Sequence, residues 1–78
     1  MNLRELPAVE LARLDNLFDF HSPTTEKAAV HATVREQCKM LATNLSQMCP
    51  VSRELAICLT KLEEAMLWAN AAVARNPL

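Results

Sequence analysis

Residues 41–62 read LATNLSQMCPVSRELAICLTKL, and the architecture turns on how this stretch is parsed. Before the Cys49-Pro50 step, Leu41, Leu45 and Met48 recur at helical spacing. After it, Leu55, Leu59 and Leu62 do the same. Proline pushes the residue before it out of the α region, so the first helix closes at Cys49-Pro50. Ser52 is a good N-cap for the second, and Glu54 in its first turn suits the positive end of the helix dipole. Two helical patterns separated by so short a connection predict an antiparallel hairpin.

Outward from this turn the patterns continue. Upstream, Val30 and Val34 extend the series to Val30, Val34, Leu41, Leu45 and Met48, with the polar Gln37 completing the rhythm at mid-length. Ser22 stands as N-cap with Pro23 in the first turn, giving a helix over about 23–48. Downstream, Leu55, Leu59, Leu62, Met66, Ala69 and Val73 keep a four-three rhythm, widened by Ile57, Ala65 and Trp68. This helix, over about 52–75, should stop at Arg75-Asn76, a cation followed by a residue that tolerates the left-handed region. Between Pro7 and Pro23, Val9, Leu11, Leu14, Leu17 and Phe18 mark a short first helix over about 7–18. Residues 1–78 therefore read as a single all-α domain, an antiparallel helical hairpin with a short N-terminal helix. Two helices and an arm cannot enclose Met40, Ile57, Leu67, Trp68 and the alanine faces together. Burial between copies is the economical remedy, so a homo-oligomer is expected.

Composition narrows function. The 78 residues include no glycine, four prolines and 51% hydrophobic residues. A Walker loop, a dinucleotide fingerprint and a nucleophile elbow all depend on glycine, and all are excluded. Eight Lys+Arg against nine Asp+Glu leave a net charge of −1, against the basic surplus a DNA-coating protein needs. Cys38, Cys49 and Cys58 show neither CxxC nor zinc-finger spacing, so they read as free thiols in a reducing cytoplasm, and no metal or cofactor is expected. No apolar run approaches the ~18 residues of a membrane span, and no signal-peptide pattern follows Met1. The expectation is a soluble intracellular protein with no membrane partner.

Catalytic chemistry finds little footing. Glu63 and Glu64 are neighbours on a helix and point about 100° apart, so they read as a solvated acidic turn near Lys61. His21 and His31 share no ligand spacing, and Cys58 has no neighbouring base. No catalytic residue is assigned. Anion binding reads better. Ser52-Arg53 opens a helix where free N–H groups favour phosphate and a guanidinium can fork onto it. Ser22-Pro23-Thr24-Thr25 followed by Lys27 repeats the arrangement at the preceding helix, and Phe20 and His21 stand ready to stack on a base.

Ser52 to Asn76, SRELAICLTKLEEAMLWANAAVARN, closely resembles the C-terminal helix of the phage anti-CBASS nucleotide-sponge family (anti-CBASS protein two), which shares a hairpin domain with a Thoeris anti-defence sponge. The matching features are Ser52-Arg53-Glu54, the run from Leu59 to Ala65, Trp68 to Ala72, and Ala74-Arg75-Asn76. The Phe20-His21-Ser22-Pro23 turn and the region of Arg35 match more loosely. The resemblance implies a small helical protein that assembles as a homohexamer and binds cyclic oligonucleotide messengers without cleaving them. Cyclic dinucleotides would sit between protomers, and cyclic trinucleotides at separate sites nearer the oligomer axis. It also implies a phage-encoded protein acting in the host cytoplasm, where free messenger falls and the CBASS effector stays off. Carried over by position, Arg53, Lys27, Thr24 and Thr25 would face phosphate, and Phe20 or His21 would take the base-stacking place. The chain has no tyrosine, so stacking by tyrosine is replaced or lost. The competing reading is a small interaction or regulatory hairpin that binds a protein partner through its apolar stripe. A carboxylate- or metal-dependent hydrolase stands third.

Overall fold

Ser52 starts the last helix through a two-way hydrogen bond. Its hydroxyl accepts from the Leu55 N–H at 3.1 Å and donates to the Pro50 carbonyl at 3.0 Å, fixing cap and turn together. The computed structural model describes residues 2–78, so Met1 of the expected domain lies outside the described residues. It contains α1 (Ala8–Phe18), α2 (Thr25–Met48) and α3 (Arg53–Arg75). Among the described residues there is no strand. The chain is all-helical, and α2 and α3 pack as a hairpin. Lys27 meets Ala74 and His31 meets Asn70, two pairs that straddle the Pro50–Val51 peptide symmetrically and fix the antiparallel register.

Helix boundaries follow the capping chemistry. α2 begins two residues after Pro23, and its cap is Thr24, not Ser22: the Thr24 hydroxyl accepts from the Lys27 N–H at 3.1 Å. Proline at 23 suits an extended lead-in as well as a first turn, and the hydroxyl three residues before an available N–H takes the cap. Pro7, the first residue of the expected helix, is instead the N-cap of α1, without a side-chain bond, and the helix starts one residue later at Ala8. Asn76 closes α3 in an extended conformation, φ −131° and ψ 154°, rather than the left-handed one expected. Its side-chain amide instead donates to the Ala72 carbonyl at 2.9 Å, satisfying one of the free carbonyls of the last turn.

On α3, Leu55, Leu59, Leu62, Met66, Ala69 and Val73 are all half-buried, as their rhythm predicts. On α2 the expected seam needs correction. Val30, Val34 and Leu45 are half-buried, but Cys38, Ala42 and Cys49 fill the remaining places. Gln37 is exposed, as are Leu41 (47%) and Met48 (71%). A helix turning 100° per residue carries Val34 onto Cys38, Ala42, Leu45 and Cys49. These positions hold small side chains, and the thiols serve as compact hydrophobes.

The hairpin has no interior. Among the described residues none is fully buried, and Trp68 is 63% exposed. The molecule measures 54 × 38 × 14 Å, so its thickness is little more than one helix diameter. Its radius of gyration is 17.6 Å, against about 12 Å for a compact chain of this length. Its accessible surface of 6540 Å² exceeds that of a compact monomer of this mass by roughly 1,800 Å². The helices form a single layer, open on both faces.

Candidate functional site

Five of the six residues singled out from sequence gather at the open end of the hairpin, around the start of α2: Phe20, His21, Thr24, Thr25 and Lys27. Arg53 opens α3 at the turn end, separated from them by the length of α2, about 36 Å for its 24 residues. Within one protomer the two groups do not meet.

At the open end several of these groups already have partners. His21 Nε2 lies 2.7 Å from the Asn16 carbonyl. A carbonyl only accepts, so Nε2 carries the hydrogen. Thr24 Oγ1 accepts the Lys27 N–H that caps α2. Lys27 Nζ donates to the Ala74 carbonyl at 3.3 Å, laying its charge against the negative end of α3. Arg75 does the same for α1, donating to the Leu17 carbonyl at 3.2 Å across the junction. α1 has no basic residue of its own in its last turn, so Arg75 supplies the missing cation. Lys27, Arg75 and His21 together tie α1 and the two hairpin ends into one junction. Phe20 stands 87% exposed beside it, and Thr25 is exposed at the first turn of α2.

At the other end Arg53 is exposed, and among the described residues its guanidinium makes no hydrogen bond or ion pair. The ion pairs among the described residues lie elsewhere. Arg4 and Glu10 form a bidentate pair at 3.0 and 2.8 Å, which raises the arginine's pKa above its ordinary value. Lys61 and Glu64 approach to 3.8 Å on the surface of α3. Exposed pairs of this kind add little stability.

Two features escaped the sequence reading. His31 Nδ1 sits 2.8 Å from Asn70 Oδ1, a half-buried cross-hairpin hydrogen bond that places a hydrogen on Nδ1. Finding it requires the hairpin register, which no local pattern supplies. The second is a groove of about 550 Å³ along one face of the hairpin. Cys38, Ala42, Leu59, Leu62 and Met66 form its apolar floor. Arg35 and Lys39 rim it on α2 and Glu63 on α3, with Thr43, Ser46 and Gln47 toward the turn. The i, i+4 spacing of Arg35 and Lys39 was a legible signal for a shared edge. Among the described residues no group of three His, Cys, Asp or Glu side chains is placed to hold a metal ion.

A one-layer hairpin, coreless by itself and bearing unpaired cations at its edges, defines a class of small, open helical-hairpin proteins. Residues 10–74 match the family model described as Acb2/Tad1, hairpin domain, and the chain belongs to that family. No curated protein and no solved structure matches it. Membership carries a general role, that of sponge-type anti-defence proteins that act by binding. Among the described residues no helix is long and apolar enough to cross a membrane.

Proposed function

We propose that this protein binds cyclic oligonucleotide second messengers, cyclic dinucleotides and also cyclic trinucleotides, and sequesters them without cleavage, so that CBASS effectors are not activated. The observation that carries this reading is the family match over residues 10–74. It is supported by the open single-layer hairpin, whose missing interior calls for further copies, and we assign the active form as a homohexamer. The setting is the cytoplasm of a phage-infected host.

The helix starts supply the phosphate contacts in this reading. Arg53 is free to fork onto a phosphate at the N-terminus of α3, where backbone N–H groups and the helix dipole favour an anion. Thr25 and the first N–H groups of α2 offer the same at the open end, with Lys27 able to exchange the Ala74 carbonyl for a stronger, charged acceptor. Thr24 Oγ1 accepts the capping bond and keeps its O–H to donate to a phosphate. Phe20, exposed, takes the stacking place, with the His21 ring beside it. Because Arg53 and Lys27 lie at opposite ends of one hairpin, a pocket using both draws them from different protomers.

A thermal-shift panel of cyclic di- and trinucleotides tests this. A ligand that binds only the native state stabilises it by about 4 kcal/mol at a thousandfold excess over Kd. The expected result is a clear upward shift with at least one messenger. No shift with any cyclic nucleotide or cyclic ADP-ribose isomer overturns the reading. The exposed Trp68, Leu67 and Ile57 would then favour the protein-binding alternative.

A further inference from the structure

α1 is tied to the hairpin helices at one point. Its 11 residues fall short of the ~12–15 at which an isolated helix becomes even marginal in water. Packing does not make up the difference. α2 and α3 pack along their length, but among the described residues α1 has no comparable contact with either, and only its Glu10 and Leu17 are half-buried. What steadies α1 lies at its last turn, where carbonyls that no helical N–H follows find donors. The Asp15 carbonyl accepts from the Asp19 N–H at 2.9 Å and the Asn16 carbonyl from His21 Nε2 at 2.7 Å, both local bonds. The Leu17 carbonyl accepts from Arg75, 58 residues away, at 3.2 Å. Among the described residues this is the one hydrogen bond between α1 and the hairpin helices. Arg75 is half-buried and, among the described residues, makes no ion pair. Its footing is firm, because the neighbouring Ala74 carbonyl accepts from Lys27 of α2.

We propose that Arg75 is a positioning residue for the open-end site: by holding the last turn of α1, it fixes the segment that carries Phe20 and His21. The inference rests on the binding reading above and deepens it at that site. Two physical effects act through the one contact. A guanidinium at the negative end of α1 supplies the helix-end charge that its own last turn lacks. The hydrogen bond also ties that turn to α3, which Lys27 and His31 hold in register with α2. From there the effect passes along the chain. The Asn16 carbonyl faces His21 while the last turn of α1 is helical, and His21 anchors the extended segment between Asp19 and Thr24. Phe20, 87% exposed, is thereby presented from a segment held at both ends. With α1 frayed, Phe20 and His21 would hang on a free strand of chain, and ordering them on binding would cost affinity. Arg75 thus acts on the stacking place through α1 and not by touching the base.

Amide hydrogen exchange of the full chain, resolved by mass into α1, α2 and α3, tests the tie with no ligand present. Arg75→Gln keeps a polar side chain and removes the charge. Amides of α1 should then exchange about tenfold faster, while those of α2 and α3 keep their wild-type rates. Affinity for the cyclic nucleotide that most stabilises the wild type should fall about tenfold as well. Arg75→Lys returns a cation with a simpler donor, and α1 protection and affinity should recover in step. Unchanged α1 exchange in Arg75→Gln overturns the proposal. Equal loss of protection in all three helices also overturns it, since Arg75 would then be a general stabilising residue. Affinity lost from an α1 that stays protected makes Arg75 a direct ligand contact, which overturns it too. So does recovery of one property without the other in Arg75→Lys. The exchange measurement needs no messenger and so keeps the two ideas apart. Faster α1 exchange in Arg75→Gln, from a wild type that binds no cyclic nucleotide, leaves the tie standing and removes the sponge.

Discussion

Some residues of this chain carry an observed structural role and a proposed binding role, and the two separate in experiment. Lys27 neutralises the end of α3 through the Ala74 carbonyl, yet it also stands where a phosphate contact is proposed. Lys27→Met should cost about 0.3–1 kcal/mol of stability through the lost helix-end charge. In a binding titration, removal of a charged contact should weaken messenger affinity about tenfold or more. A melting change without any affinity change would leave Lys27 a purely structural residue. Arg53 makes no hydrogen bond or ion pair among the described residues, so Arg53→Ala should weaken binding of at least one messenger class and leave the oligomer intact. Normal binding of every messenger by that variant would remove the α3 start from the site. Asn70→Ala deletes the hydrogen bond to His31 and should lower unfolding free energy by about 1 kcal/mol, read by urea denaturation at fixed protein concentration. The sequence displayed the residue types at these positions but not their engagements. The partners of Lys27, His31 and Arg75 lie 39 to 58 residues away along the chain, beyond any local pattern.

At the scale of elements, the ends and faces of the helices show where a sequence is legible. The start of α3 was readable because a serine two residues after proline, followed by an acidic first turn, leaves one economical cap. The start of α2 was not, because Ser22, Thr24 and Pro23 offer two chemically reasonable caps within three residues. Only the backbone path distinguishes them. Stability measurements should show the difference: Thr24→Ala and Ser52→Ala each cost about 1 kcal/mol, whereas Ser22→Ala is close to neutral. Equal losses at Ser22 and Thr24 would contradict the observed cap. The α3 seam was legible because its large apolar residues coincide with the buried phase. The α2 seam was not, because Leu41 and Met48 outrank Cys38 and Ala42 in hydrophobicity while lying off the buried phase. Their exposure leaves apolar surface on α2.

For the whole molecule the governing fact is a hairpin one helix thick with no buried residue among those described. In the proposed oligomer a chain without a core of its own would draw stability from association, which depends on concentration. Its melting temperature should therefore rise with protein concentration, and a melting point unchanged over a hundredfold dilution would mean a self-sufficient monomer. The same openness explains why the candidate site was only partly visible in the sequence: its residues were identifiable by type, but they sit at opposite ends of one protomer. It also shapes the proposed function, since a pocket made between copies can hold a ligand by contacts alone. The measurement that bears most directly on that function is recovery of the ligand. A complex formed with a cyclic dinucleotide is freed of excess ligand, heated to unfold the protein, and the released nucleotide is identified by mass. Intact cyclic messenger is expected, in fixed stoichiometry to the assembled protein. Linear products, or no nucleotide released, would contradict it.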